Sequence, residues 1–72
     1  MPRYHFDLVD SKTAADEGGA ELSDDVAAMD TAETLAKRLL QERPDLKNRH
    51  YAILVTNGNG DEVCRIPLDI IR

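Results

Sequence analysis

Four side chains of this 72-residue chain have the chemistry to bind a metal ion, namely His5, Asp7, His50 and Cys64. A zinc site brings about four such ligands to within roughly 2.0–2.3 Å of the ion. His5 and Asp7 share one side of a predicted strand, and His50 begins another. Cys64 is expected on the opposite, core-facing side, and the spacing matches no metal motif. The sequence therefore predicts no metal site and no cofactor.

The segment Asn57–Asp61 resembles the start of a calcium-binding loop. It departs from that loop at Glu62, where the invariant glycine belongs, and at Leu68, where the bidentate glutamate belongs. The run Asn-Gly-Asn-Gly within it is also a strong β-hairpin signal, because both residue types tolerate the positive φ of tight turns. The hairpin explains the same residues, so we predict a turn here and no calcium site.

The carboxylates, serines and glycines of the sequence form no recognisable catalytic group. A general acid needs a pKa raised by burial, but the acids within 16–21 and at 24–25 are predicted in loops and a first helical turn, where they stay ionised. Ser11 and Ser23 have no histidine base nearby in the sequence. Gly18-Gly19 is followed by no Lys-Ser or Lys-Thr pair, as a phosphate loop would require. We predict that the protein is not an enzyme.

The small size of the chain limits how it can become stable. Seventy-two residues make one domain, placed at residues 1–72. The single cysteine excludes an internal disulfide, and the core has only three aromatic rings, Tyr4, Phe6 and Tyr51. Domains of this size often depend on a partner subunit. Assembly into a homo-oligomer, most simply a dimer, is therefore expected.

The charge of the chain is negative and unevenly distributed. Residues 1–34 carry −7 and residues 35–72 carry +2, for a net charge of −5. Because nucleic-acid binding depends on basic residues at phosphates, this balance disfavours a nucleic-acid partner. No apolar run approaches the ~20 residues that span a bilayer, and the N-terminus lacks the segments of a signal peptide. We predict a cytoplasmic protein without a membrane partner.

Two strands are predicted in the N-terminal part of the chain. Arg3–Val9 alternates apolar and polar side chains with a period of two, which is typical of a half-buried strand. Asp10–Lys12 has turn chemistry. Thr13–Leu22 is expected to return as a short, irregular strand with a loop at Gly18-Gly19.

An amphipathic helix is predicted from Ser23 to Arg43. At 100° per residue, one arc of about 140° collects the apolar side chains Ala28, Met29, Ala32, Leu35, Ala36, Leu39 and Leu40. Ser23 or Asp24 can accept a hydrogen bond as the N-cap. Pro44 disfavours helical geometry at the residue before it and ends the helix.

A hairpin is predicted in the C-terminal part, with strands His50–Thr56 and Asp61–Ile66. The element order β-β-α-β-β indicates an α+β fold, a mainly antiparallel sheet with one helix packed on one face. If Thr56 pairs with Asp61, Leu54 lies opposite Val63 on the sheet face that the helix leaves open. The tail Leu68–Arg72 contains the apolar residues Leu68, Ile70 and Ile71 and shows no pattern of a helix or strand.

Three segments carry a resemblance to a known family. Residues 1–10, M-P-R-Y-H-F-D-L-V-D, resemble the M-P-R-Y-x-F-x-L-x-D start of a bacterial family of short proteins classed as a domain of unknown function. Residues 16–22 are similar to its D-E-x-G-x-E-L segment, and residues 60–67 to its G-x-x-V-x-x-V-P pattern. Asn57 and Leu54 depart from that family, which commonly has charged residues there. The resemblance supports the architecture and implies no activity and no site residues.

Two classes of function remain. The first is a non-catalytic protein-interaction module that acts as a small homodimer and binds an unknown protein partner. Its possible interface is formed by Leu54, Val63, Ala52 and Arg65. The alternative is an antitoxin-like regulatory module that binds a toxin or nucleic acid. That alternative rests on an analogy of fold alone, an aromatic strand hairpin followed by an Ala-rich helix.

Overall fold

The computed structural model describes residues 2–71 as a four-stranded antiparallel sheet with one α-helix packed against it. The elements are β1 (Arg3–Val9), β2 (Ala14–Glu21), α1 (Asp25–Glu42), β3 (Ala52–Thr56) and β4 (Glu62–Pro67). The strands lie in the order β2-β1-β3-β4 across the sheet. The predicted α+β class and the order β-β-α-β-β are confirmed.

Strand β2 lies within the predicted segment Thr13–Leu22 but is more continuous than the sequence suggests. It continues through its two glycines, where Glu17 and Gly18 together lie opposite Phe6 in a β-bulge. Gly18 has φ +104°, a conformation that side chains other than glycine rarely adopt. The backbone N–H of Gly18 donates to Asp16 Oδ1 at 2.7 Å. The glycines therefore bend the strand, and the predicted loop at this point does not form.

The ends of α1 follow from local chemistry. Asp24 is the N-cap, and its Oδ1 accepts a hydrogen bond from the backbone N–H of Ala27 at 2.9 Å. At the other end, the N–H of Arg43 donates to the carbonyl of Leu39 at 2.7 Å, and Pro44 follows. The predicted helix is confirmed within two residues at each end.

The helix packs its small residues and leucines on the sheet. The buried core includes Tyr4, Phe6, Leu8, Ile53 and Val55 from the sheet and Ala28, Ala32, Leu35, Ala36 and Leu39 from α1. The inclusion of Met29 in the core face was wrong, because its side chain is 45% exposed. The helical angle alone does not explain this exposure, because Leu40 lies farther from the middle of the same arc and still packs against the core.

The C-terminal tail completes the core. Leu68 is fully buried and Ile71 is 8% exposed, around a short 3₁₀ turn at Leu68–Ile70. The N–H of Leu68 donates to the carbonyl of Tyr51 at 2.9 Å, which ties the tail to the residue before β3. A second 3₁₀ turn, Pro44–Asn48, contributes the buried Leu46. The tail is therefore an integral part of the domain.

The hairpin between β3 and β4 forms, but with a different register from the predicted one. The turn closes with Asn57 N–H donating to the carbonyl of Asp61 at 3.0 Å, and a bulge at Val63 follows. Beyond the bulge, Leu54 pairs with Arg65. The predicted Leu54–Val63 pair is wrong, because the turn is one residue longer on the β4 side and the bulge adds another.

A buried hydroxyl links β1 to the start of α1, and its titration provides a test of the fold. Tyr4 is 3% exposed, and its hydroxyl donates to Asp25 Oδ1 at 2.7 Å. This hydrogen bond, with burial and the charges of Asp25 and Asp24, raises the pKa of Tyr4 to about 12. Because the folded pKa exceeds the unfolded value, the stabilisation is complete below about pH 10 and is lost as the pH rises toward 12.

Ultraviolet titration of the folded protein should therefore show Tyr4 ionising near pH 12. Tyr4→Phe assigns the transition, since Tyr51 is the only other tyrosine. Asp25→Ala should return the pKa of Tyr4 toward 10, the ordinary value for tyrosine. An unchanged titration in Asp25→Ala would show that the hydrogen bond does not control this group.

Candidate functional site

The face of the sheet opposite α1, called the open face below, carries the polar side chains of β1. The pairing of the strands aligns Asp16 of β2, Asp7 of β1, Leu54 of β3 and Arg65 of β4 in one row across all four strands. We call these four residues the central row. Two carboxylates stand at one end of the row, a leucine lies between, and a guanidinium stands at the other end.

His5 lies beside the central row and contacts both of its carboxylates. The Nε2 atom of His5 is 3.1 Å from Asp7 Oδ1 and 3.3 Å from Asp16 Oδ1. The side chains of His5, Asp7 and Asp16 are 42%, 24% and 70% exposed. These three residues are called the histidine–aspartate cluster below. It is open to solvent and offers one imidazole and two carboxylates to a small ligand.

Local structure explains how Asp16 reaches His5. His5 and Asp7 are two residues apart in β1 and therefore share a face. The bulge at Glu17-Gly18 puts Asp16 on that same face, opposite Asp7, while Gly19 pairs with His5. The hydrogen bond from Gly18 N–H also holds the Asp16 carboxylate over the sheet. The bulge and its glycine thus assemble the cluster.

The opposite end of the central row is basic. Arg65 Nη2 lies 3.3 Å from Glu62 Oε1 on the same strand, and both side chains are 52% exposed. Such an exposed ion pair contributes little to stability. The guanidinium of Arg65 therefore remains available to a second carboxylate. Along the central row, the open face therefore has two carboxylates on β2 and β1 and one guanidinium on β4. Arg3 of β1 and Glu62 of β4 add a charge of the opposite sign beside each end.

The four residues predicted as an interface do not all lie together on this face. Leu54 and Arg65 are neighbours in the central row, and Ala52 is on the same face opposite Pro67. Ala52 is only 7% exposed, so it offers little contact surface. Val63 lies at the bulge and packs against the hydrophobic core. Leu54 and Arg65 are thus the two predicted residues with surface to share.

The other metal-competent residues lie apart from the cluster. His50 is 89% exposed and contacts Asp69 Oδ2 at 3.4 Å. It precedes β3, whereas His5 pairs with Thr56 at the far end of that strand. Cys64 pairs with Val55 and faces the core, where burial, followed by the charges of Glu62 and Asp25, raises the pKa of its thiol. Neither residue can join His5.

The segment that resembles a calcium loop is a hairpin turn. Asn57 Oδ1 accepts hydrogen bonds from the N–H groups of Asn59 at 2.9 Å and Asp61 at 3.0 Å. Gly60 has φ +84°, which a tight turn requires of its glycine. The side-chain oxygen of Asn57 therefore stabilises the turn, as the hairpin prediction implies.

Sequence reasoning missed the place of Asp16 because it assigned this residue to a loop. Asp16 is followed two residues later by Gly18, and Asp-x-Gly is a typical sequence for a side-chain-capped turn. Within a strand that pattern indicates a bulge. The signal was present, but the register that brings Asp16 opposite Asp7 depends on β1 and is not visible locally.

The fold and the open face define a small α+β domain whose four-stranded sheet is covered on one side only. The chain belongs to the family described as a domain of unknown function, DUF6894, which matches residues 3–69. The predicted resemblance to a family of unknown function is confirmed, while the bacterial origin of that family stays a prediction. No curated protein and no solved structure matches the chain. Within residues 2–71, no helix is both long and apolar enough to cross a bilayer.

Proposed function

We propose that this protein is a non-catalytic interaction module that pairs with a second copy of itself through the open face. The observation that carries the proposal is the charge order along the central row. Asp16 and Asp7 occupy one end, and Arg65 occupies the other. A surface that has opposite charges at its two ends can be complementary to itself under a twofold rotation.

The rotation that achieves this can be specified from the strand order. Two copies are stacked face to face about an axis that runs parallel to the strands and passes between β1 and β3. Since the order is β2-β1-β3-β4, this operation places β2 of each copy over β4 of the other. Asp16 then faces Arg65 of the second copy, and Leu54 faces Asp7 of the second copy, because β1 of each copy lies over β3 of the other. The two Leu54 side chains stand diagonally across the axis, about one strand spacing (~4.8 Å) apart.

The size of the open face sets the strength of the proposed dimer. Four strands about 4.8 Å apart, each with about six residues rising 3.3 Å, form a patch of roughly 400 Å² per copy. That is about half of the contribution of one partner to a standard interface of about 1,600 Å² in total. We therefore expect weak, reversible association that depends on charge, salt and concentration.

Sedimentation equilibrium tests the proposal. The average mass should rise above the 8.0 kDa of one chain, as the concentration increases from about 20 µM to about 500 µM. Leu54→Asp, which adds a third acid to the row, should keep the mass at that of a monomer. Arg65→Ala should weaken association by removing the cation, and added salt should do the same.

Val26→Asp is the matched control. It makes the same kind of change, apolar to acidic, at a residue of α1 that is 64% exposed and lies on the other side of the molecule. This variant should associate as the wild type does. A wild-type mass of 8.0 kDa throughout the concentration range would remove the dimer. Equal effects of Leu54→Asp and Val26→Asp would remove the open face as its interface.

A further inference from the structure

The histidine–aspartate cluster lies on the open face, and a ligand-binding role for it would not depend on self-association. We propose that His5, Asp7 and Asp16 form a binding site for a divalent transition-metal ion, for which Zn²⁺ is the natural probe. Each residue can offer one ligand atom, and these atoms all lie within 4.8 Å of one another. All three ligands come from a single chain, so the site goes beyond the proposed function and does not rest on it.

The distances between the candidate ligand atoms fit a single ion. Zinc binds imidazole nitrogen and carboxylate oxygen at about 2.0–2.2 Å, so two such ligands at a tetrahedral angle lie about 3.3–3.6 Å apart. His5 Nε2 is 3.1 Å from Asp7 Oδ1 and 3.3 Å from Asp16 Oδ1. An ion can enter between these atoms with small side-chain rotations and without a change in the strands.

The chemistry of the three groups selects the kind of ion. Imidazole suits zinc, copper, iron and nickel, whereas magnesium and calcium prefer oxygen ligands alone. His5 Nε2 carries at most one proton, yet two carboxylates contact it. A dication at this position would neutralise both carboxylates while using the lone pair of the nitrogen. Three protein ligands leave at least one position for water.

The supporting structure holds the ligands in place. His5 and Asp7 stand on one strand, and Asp16 stands on the strand paired with it. Ligands on strands are positioned more accurately than ligands on loops. The carboxylate of Asp16 is further oriented by the N–H of Gly18 at 2.7 Å and keeps other lone pairs for a metal.

Calorimetric titration of the untagged protein with ZnCl₂ should show one ion bound per chain. The chain has two histidines, so nuclear magnetic resonance of the imidazoles offers an internal control. The resonances of His5 should shift on titration, and those of His50 should not. Under the same conditions, MgCl₂ should produce neither the heat nor the shift.

Variants assign the ligands. His5→Gln and Asp16→Asn should each weaken zinc binding by more than about tenfold, since loss even of a group that only supports a ligand costs that much. Asp16→Asn keeps an oxygen for the Gly18 hydrogen bond, and its unchanged melting curve would show that β2 stays in place. His50→Gln is the matched control and should bind zinc as the wild type does.

The outcomes separate this inference from the proposed dimer. Arg65→Ala removes a charge needed for self-association and keeps all three ligands, so it should still bind zinc. Because both proposals use Asp16, bound zinc should also compete with Arg65 of a second copy and weaken association. The metal site is overturned if zinc does not bind, if His5→Gln binds it unchanged, or if the His50 resonances shift in place of those of His5.

Discussion

Ile53→Ala is expected to lower the free energy of unfolding by about 2–5 kcal/mol, the range measured when a buried Ile, Leu or Met is cut to Ala. Ile53 is fully buried in β3, where it pairs with Leu8 of β1 and Ile66 of β4. The substitution removes three carbon atoms and leaves a cavity beneath α1. Rigid strands on both sides cannot collapse into that cavity without breaking their own pairing.

Such a loss is a large part of the total for a domain of this size. At 0.05–0.15 kcal/mol per residue, a chain of this length has about 4–11 kcal/mol of stability. Denaturant unfolding followed by circular dichroism gives the difference directly, with an unchanged slope if only the folded state is affected. The variant should unfold at a much lower denaturant concentration than the wild type.

The chain provides a matched control for this substitution. Ile70→Ala makes the same chemical change at a side chain that is 67% exposed. Exposed substitutions of this kind usually change stability by less than about 0.5 kcal/mol. Similar losses in the two variants would mean that the core is not centred on β3.

Gly19→Ala is expected to destabilise the protein by about 1–3 kcal/mol, the usual cost of forcing an extra carbon atom into a packed site. A Cβ at residue 19 would lie 2.8 Å from the carbonyl oxygen of Tyr4 and 3.4 Å from Arg3 Nη2. A flexible arginine can move away, but a backbone oxygen in a paired strand cannot. Strands β1 and β2 must therefore separate locally.

Gly58→Ala is the comparison for this second prediction. Residue 58 lies in the hairpin turn, its φ is not positive, and an added Cβ would have an ordinary contact of 3.7 Å with the carbonyl of Arg3. Its stability should stay within about 0.5 kcal/mol of the wild type. Chemical denaturation of both variants decides between steric conflict at one position and a general effect of replacing glycine.

The same experiment also tests the candidate site. Gly19 pairs with His5, and the bulge beside it places Asp16 against the same histidine. A displacement of β2 in Gly19→Ala should therefore weaken zinc binding as well as stability. If Gly19→Ala is as stable as the wild type, the close approach of β2 to β1 is not maintained in solution, and the geometry of the cluster cannot be either.

Elements with strong local signals were predicted correctly. The helix was confirmed because a capping aspartate, a 3.6-residue apolar period and Pro44 act within a few residues of one another. The first strand was confirmed because successive residues of a strand point to opposite faces, so a strand covered on one face shows an apolar period of two. Tyr4, Phe6 and Leu8 lie on the covered face and are each 3% exposed. The hairpin turn followed in the same way from its Asn and Gly residues.

Properties that depend on strand pairing were not predictable in the same way. The turn at Asn57–Gly60 is evident from residue types, but the bulge at Val63, a residue that packs against the core, is not. A register shift of one or two residues changes every cross-strand partner, which is why Leu54 meets Arg65 and not Val63. The burial of Leu68 likewise depends on a hydrogen bond to Tyr51, seventeen residues earlier in the chain.

The sequence by itself determined the elements of this protein and their order, since caps, periodicity and turn residues act over distances of a few residues. Only the tertiary structure decided the strand order β2-β1-β3-β4, the registers and the two bulges. Both features of the open face depend on those decisions. The histidine–aspartate cluster and the charge order of the central row join residues from separate strands. Which side chains meet across strands is set by the packing of the whole sheet against α1, and no local pattern in the chain encodes that packing.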